Sequence, residues 1–128
     1  MTESHRILII AENAAQRKSM VRALERHELL AESAAKCEVA YRQLLDERFA
    51  AVVIDLTSSL DAIAFIKRIR ATPELNDTRV LVSGEWGNGQ PTMALSQGAD
   101  AFEPAPPDER RLIDSVERVL RHDAVMVE

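Results

Sequence analysis

This sequence has little cysteine, no long apolar run and no cluster of basic residues. The single cysteine, Cys37, excludes an intramolecular disulfide and is typical of a protein from a reducing compartment. No apolar run approaches the length that spans a bilayer, and Met1–Arg6 lacks the apolar core of a signal peptide. We therefore expect a cytoplasmic protein that does not insert into membranes.

The charge balance excludes a further class of function. The sequence contains 16 Lys and Arg residues and 21 Asp and Glu residues, so the formal net charge is -5 at pH 7. A nucleic-acid-binding face needs clustered Lys and Arg, so we expect no direct binding of nucleic acid. The histidines His5, His27 and His122 lack metal-ligand spacing, and we expect them to be solvated. Because the P-loop, dinucleotide and hydrolase glycine motifs are also missing, we predict no enzymatic activity.

The overall composition is that of an ordinary globular domain. Hydrophobic residues make up 46% of the chain and charged residues 29%. A length of 128 residues suits one domain with a full hydrophobic core. Since the sequence shows no internal repeat, linker or low-complexity segment, we predict a single domain over residues 1–128.

Five short apolar segments have the pattern of strands. The clearest is Ala51–Asp55, in which apolar residues run directly into a carboxylate, as in a strand that is buried on both faces. The other predicted strands are Ile7–Ile10, Leu29–Ser33, Val80–Val82 and Asp100–Glu103.

Helical spacing of apolar residues occupies the segments between these strands. It predicts helices over Ala14–His27, Lys36–Arg48, a third segment to Arg70, Pro91–Gln97 and a last segment with Leu112, Ile113, Val116, Val119 and Leu120 inward. We expect Asn13 to cap the first helix and Gly98 to end the fourth. Strands that alternate with helices predict an α/β domain, doubly wound around a parallel sheet.

The second predicted helix has a broad apolar face. Val39, Ala40, Leu44 and Leu45 all fall on this face. The segment after the third helix, Thr72–Asp77, is rich in turn residues and is predicted to be a loop.

Polar residues stand where three of the predicted strands end. Glu12 follows the first strand, Asp55 closes the third and Ser83 follows the fourth. In open α/β folds, ligands bind at this edge of the sheet. Two carboxylates from neighbouring strand ends suit a hard cation such as Mg²⁺, and an Asp beside a metal can itself act as a nucleophile and form an acyl phosphate. The Ser83 hydroxyl is suited to donate a hydrogen bond to an oxyanion.

Each of these residues also has a purely structural interpretation. Asp55 could cap the next helix, Glu12 could interact with the helix dipole, and Ser83 could form a turn. The single tryptophan, Trp86, is either a ring lying on the surface or an anchor for a partner.

Five segments of the chain together resemble the response-regulator receiver family. These segments are Ile7–Ile10 before an acid, Val52–Leu56, Phe65–Arg70, Val80–Ser83 and Gly98–Phe102. The resemblance extends from Ile7 to about Leu120. It implies a flavodoxin-like (βα)5 fold, a three-layer sandwich with a five-stranded parallel sheet in the order 2-1-3-4-5.

The resemblance also implies roles for individual residues. Asp55 falls on the position that accepts a phosphoryl group from a histidine kinase or phosphotransfer protein, Ser83 on the switch hydroxyl and Phe102 on the switch aromatic. Mg²⁺ would be held by Glu12, Asp55 and the backbone carbonyl of Thr57. An output partner protein would meet the last two helices and the fifth strand, and homodimerisation would use the same elements.

The departures from the family pattern concern the same site. Ala11 stands where the family has a second acid, and Ala105 stands where it has a Lys before a Pro. The loop Thr57–Ala62 is one residue short and lacks the usual Pro and Gly. Three alternatives therefore stay open: weak or atypical phosphorylation, a phosphorylation-independent pseudo-receiver that binds proteins, and a flavodoxin-like binder of a small ligand. Since no output domain is recognisable in the sequence, we expect the chain to act through a partner or as part of a longer protein.

Overall fold

The computed structural model describes residues 6–55, 62–84, 90–104 and 108–121. Within these ranges, strands and α-helices alternate along the chain. The strands are β1 (Arg6–Ile10), β2 (Leu30–Ala34), β3 (Ala51–Asp55), β4 (Arg79–Gly84) and β5 (Ala101–Pro104). The helices are α1 (Ala14–Glu25), α2 (Cys37–Asp46), α3 (Ala62–Ala71), α4 (Gln90–Ser96) and α5 (Glu109–Leu120).

The strands form one parallel sheet in the order β2-β1-β3-β4-β5. This order confirms the predicted flavodoxin-like architecture. All five residues of β3 are buried, because this strand lies at the centre of the sheet and helices cover both of its faces. The apolar run that ends in Asp55 is therefore the middle of the fold.

Two hydrophobic cores lie on opposite faces of the sheet, since successive side chains of a strand point to opposite sides. Leu8, Ile54 and Val82 pack with α2, α3 and α4. Val53 and Leu81, among others, pack with α1 and α5.

The helix ends follow the capping signals in the sequence. Asn13 Oδ1 accepts a hydrogen bond of 2.8 Å from the backbone N–H of Gln16, which confirms Asn13 as the cap of α1. Gly98 follows α4 with a φ of +120°, a conformation that suits glycine. A Cβ built on Gly98 would lie 2.8 Å from Cγ of Arg70, so the glycine also makes room for that side chain.

Only part of the apolar face of α2 is buried. Ala40 and Leu44 are buried, whereas Val39 is 47% exposed and Leu45 is 50% exposed. The helix packs on β1 and on the edge strand β2, with α3 at its side, so only a narrow stripe with a spacing of one turn touches the core.

Several predicted boundaries also differ from those of the structure. α1 ends at Glu25 rather than at His27, and α2 spans Cys37–Asp46 rather than Lys36–Arg48. The predicted loop after α3 contains a 3₁₀ turn, Pro73–Leu75, which places Leu75 in the core. Pro at the start of such a turn is pre-organised for helical geometry. No helix in the described part of the chain is long and apolar enough to cross a membrane.

Candidate functional site

The ends of β3 and β4 place two polar residues side by side. Asp55 and Ser83 are register partners in the sheet, and each is only 2% exposed. Neighbouring strands lie about 4.8 Å apart, so both side chains can contact the same bound group. By strand alternation from Val53 and Leu81, both belong to the face of the sheet that α1 and α5 cover.

The hydroxyl of Ser83 is the second polar group of this pair. Its Oγ is buried and has no hydrogen-bond partner among the residues that the structure describes. A buried polar group without a partner costs about 1–3 kcal/mol, and such groups in folded proteins call for an explanation. An acceptor oxygen brought to Asp55 by a ligand or a covalent group would satisfy this hydroxyl.

The β1 end of the site contains one exposed acid and one buried methyl group. Ile10 and Ile54 are register partners, so the following residues, Ala11 and Asp55, also lie next to each other. Ala11 is fully buried, while Glu12 is exposed. A buried methyl group therefore occupies the position where the receiver pattern has another acid.

Arg17 fixes this end of the site, and the sequence reasoning missed it. Its Nη1 donates hydrogen bonds of 2.9 Å to the backbone carbonyls of both Ala11 and Glu12. The guanidinium group thus holds the connection between β1 and α1 and places a positive charge at the carboxyl edge of the sheet. The sequence signal that could have identified it is a long cationic side chain one turn into the helix that follows the strand end.

Phe102 lies on the other face of the sheet. It is half-buried, pairs with Val82 in the register of β4 and β5, and packs against the core that α2, α3 and α4 cover. The structure thus brings Asp55 and Ser83 together, with Glu12 at the same edge. Phe102 is one strand away from Ser83 and faces the opposite side.

Other predicted features lie outside the described residues. They are Thr57 with its loop, Trp86, Ala105, His5 and His122. His27 is 44% exposed, as expected, but its Nε2 also lies 3.3 Å from Oε2 of Glu109, an acid that is distant in sequence.

The predicted metal ligands fit Mg²⁺ in their chemistry. Glu12 and Asp55 supply hard oxygen donors at neighbouring strand ends, which is the donor type that Mg²⁺ prefers. In the described ranges, no group of three or more His, Cys, Asp and Glu side chains is arranged to hold a metal ion. A metal at this edge would thus depend on two carboxylates and on the predicted carbonyl of Thr57.

A second carboxylate beside Ser83 was also missed. Glu103 on β5 is the register partner of Ser83, so Asp55, Ser83 and Glu103 form one row across three strands. Ser115 Oγ donates a hydrogen bond of 2.6 Å to Glu103 Oε1, and Arg111 Nε lies 3.5 Å from Glu103 Oε2. The sequence signal that could have identified Glu103 is a charged residue on the same strand face as the apolar Ala101.

Comparison with known proteins identifies the fold. No protein-family model and no curated protein matches the chain. Among solved structures, the chemotaxis response regulator CheY4 of Vibrio cholerae is 18% identical, with a TM-score of 0.84 over 91% of this chain and 99% of that chain.

Two further solved structures are similar to this chain. The signal receiver domain of a signal transduction histidine kinase from Syntrophus aciditrophicus is 22% identical, with a TM-score of 0.84 over 98% of this chain and 96% of that chain. A response regulator from Thermotoga maritima is 20% identical, with a TM-score of 0.81 over 93% and 99% of the two chains. At these identities the likeness establishes the fold, which is that of receiver domains.

Proposed function

We propose that this chain, which has the fold of response-regulator receiver domains, accepts a phosphoryl group on Asp55 in a two-component phosphorelay. The donor is a phosphohistidine of a histidine kinase or phosphotransfer protein. The observation that supports this most strongly is the pair at the ends of β3 and β4, a buried carboxylate next to a buried hydroxyl that lacks a hydrogen-bond partner in the described part of the chain.

The proposed transfer moves one phosphoryl group between two proteins. A carboxylate oxygen of Asp55 attacks phosphorus, and the P–N bond of the phosphohistidine breaks. The electron pair of that bond leaves with the imidazole nitrogen, which takes up a proton. The Ser83 hydroxyl then donates a hydrogen bond to a phosphoryl oxygen, a partner that it lacks among the described residues. Mg²⁺ held by Glu12, Asp55 and Thr57 would neutralise part of the moving charge.

Phosphorylation is proposed to be weak or atypical. Ala11 and Ala105 replace an acid and a Lys of the family pattern. A hydrogen bond to a charged group contributes about 1.5–3 kcal/mol. If the absent Lys would have made that bond in the transition state, its loss slows transfer roughly tenfold to a hundredfold.

A phosphorylation-independent pseudo-receiver is the second candidate. Ala11 is fully buried and packs in the core that α1 and α5 cover, so this position contributes to packing and offers no metal ligand. In this alternative the domain binds a partner protein in its unmodified state.

The remaining features of the proposal concern where the domain works and what it contacts. It works in the cytoplasm and has no catalytic turnover of its own. An output partner binds α4, β5 and α5, and a homodimer would use the same surface. The domain does not bind nucleic acid directly.

Intact mass spectrometry after incubation with acetyl phosphate and Mg²⁺ tests the proposal. The wild-type protein is expected to gain a single phosphoryl group, and Asp55→Asn is expected to gain none. Asp46→Asn is the matched control, because Asp46 is an exposed carboxylate at the end of α2. No adduct on the wild-type protein, together with no effect of Mg²⁺ on its stability, would favour the pseudo-receiver.

A further inference from the structure

We propose that Glu103 couples the charge at Asp55 to α5. Glu103 is a charged residue on the inner face of β5. Ala101, its neighbour on that face, packs with the hydrophobic core that α1 and α5 cover. The proposal rests on the proposed function only for the event that changes the charge at Asp55, which is phosphorylation. The coupling itself is a property of the unmodified domain and can be measured there.

The register of the sheet sets the distance between the two carboxylates. Asp55 and Glu103 flank Ser83 on β3 and β5, so their Cα atoms lie two strand spacings, about 10 Å, apart. All three side chains belong to the face that α1 and α5 cover. Asp55 is 2% exposed and the Glu103 side chain 14% exposed, so water screens their mutual repulsion only weakly.

Glu103 also holds two residues of α5. Ser115 is 5% exposed, and its Oγ donates to Glu103 Oε1 over 2.6 Å. Arg111, one turn earlier in α5, lies with its Nε 3.5 Å from Glu103 Oε2. A displacement of the Glu103 carboxylate therefore changes contacts over the first half of α5.

These contacts define how the coupling works. A phosphoryl group on Asp55 adds negative charge to the row, and the repulsion drives the Glu103 carboxylate toward Arg111 and solvent. The hydrogen bond from Ser115 weakens, and the first half of α5 opens more often. A neutral Asp55→Asn has the opposite effect, because it removes a negative charge from the row.

Amide hydrogen exchange along α5 is the experiment, with the Asp55→Asn comparison made without Mg²⁺. In protein with Glu103 intact, Asp55→Asn is expected to slow exchange at residues 111–116, and phosphorylation by acetyl phosphate is expected to speed it, each by about threefold or more. Glu103→Gln retains an acceptor for Ser115 but carries no charge, so both responses should vanish. Glu117→Gln, which removes an exposed acid of the same helix, should leave both responses unchanged.

The outcomes separate the two proposals. Equal responses of α5 with Glu103 and with Gln at that position would overturn the coupling, and so would an α5 that ignores Asp55→Asn in otherwise wild-type protein. Absence of a phosphoryl adduct would refute the proposed function, while the Asp55→Asn comparison would still decide the role of Glu103. If Glu103→Gln fails to fold, Ser115→Ala replaces it: this variant keeps the charge but loses the hydrogen bond from Ser115, and both responses should become smaller than in the wild-type protein.

Discussion

Asp55 and Ser83 are register partners at the ends of β3 and β4, and the Oγ of Ser83 has no hydrogen-bond partner among the described residues. A buried hydroxyl in this state destabilises the unmodified domain. In the proposed function, it gains a hydrogen-bond partner when a phosphoryl oxygen arrives at Asp55. The pair therefore links a small loss of folding stability to the proposed chemistry.

Ser83→Ala separates these two effects. Removing this hydroxyl, which has no partner in the described part of the chain, is expected to leave the free energy of unfolding unchanged or to raise it by about 1 kcal/mol. The same variant should take up the phosphoryl group about tenfold more slowly, because it cannot donate to the phosphoryl oxygen. Urea titration and the time course of the mass adduct measure the two quantities. Ser19→Ala, at an exposed position of α1, should change neither, and a large loss of stability in Ser83→Ala would contradict the account.

Ala11→Asp tests the metal site. Ala11 is fully buried next to Asp55, so a carboxylate introduced there is expected to lower the melting temperature in the absence of a divalent cation. Mg²⁺ should restore the melting temperature, since a ligand present at about one hundred times its Kd stabilises the folded protein by about 2.7 kcal/mol.

Thermal melts with EDTA and with Mg²⁺ measure this effect. Ala11→Asn, of similar size but without the charge, is the matched control and should show little response to Mg²⁺. If Ala11→Asp melts at the same temperature with and without Mg²⁺, the site does not hold the ion.

Arg70 joins the C-terminal end of α3 to the segments just before β4 and β5. Its Nη2 donates to Asp100 Oδ2 at 2.9 Å, its Nε to the carbonyl of Gly98 at 3.0 Å, and its Nη1 to the carbonyls of Asn76 and Thr78. Asp100 Oδ2 in turn accepts from the backbone N–H of Val80.

Arg70→Met should therefore lower the free energy of unfolding by about 2–4 kcal/mol, because it removes four hydrogen bonds, three of them partly buried. Lys67→Met, at an exposed position of α3, should change it by less than about 0.5 kcal/mol. Chemical denaturation measures both variants. Equal stability of the two would show that the Arg70 cluster contributes little.

Glu109 gives a prediction for acid conditions. A hydrogen bond from Arg26, together with its positive charge, lowers the pKa of Glu109 from its usual value of 4.5, and His27 acts in the same direction. Because the pKa is lower in the folded state, the pair contributes stability above pH 4.5, and this contribution is lost as the pH falls through the lowered pKa.

Melting temperatures between pH 7 and pH 3 of the wild-type protein and of Arg26→Gln test this prediction. The difference between them should be present at neutral pH and should shrink in acid. The pair is exposed, so added salt should also reduce the difference. A difference that grows as the pH falls would have the wrong sign.

The sequence predicted the fold because its strong signals were local and mutually consistent. Apolar runs such as Ala51–Ile54 and the cap at Asn13 report directly on burial and helix ends, and the structure confirms both. The exposure of Val39 and Leu45 could not be predicted in this way. Periodicity shows which residues share a helix face, but the position of α2 near the sheet edge determines how much of that face is covered.

The site was predictable only where a residue closes an apolar run. Asp55 and Ser83 each end such a run, so their meeting at one edge followed from parallel strands. The sequence did not predict that Glu103 and Arg17 belong to the site, because their positions depend on the register of the strands and on contacts that only the folded chain makes. The roles assigned to Asp55, Ser83, Phe102, Glu12 and Thr57 all stay predictions.

Chemical trapping identifies the residue that accepts the phosphoryl group. An acyl phosphate is reduced by borohydride to the corresponding alcohol, so treatment of protein incubated with acetyl phosphate and Mg²⁺ marks the acceptor permanently. Peptide mapping should place the reduced residue at Asp55 in the wild-type protein and find none in Asp55→Asn. A reduced carboxylate at another position, or no reduced residue in the wild-type protein, would contradict the assignment of Asp55 as the phosphoacceptor.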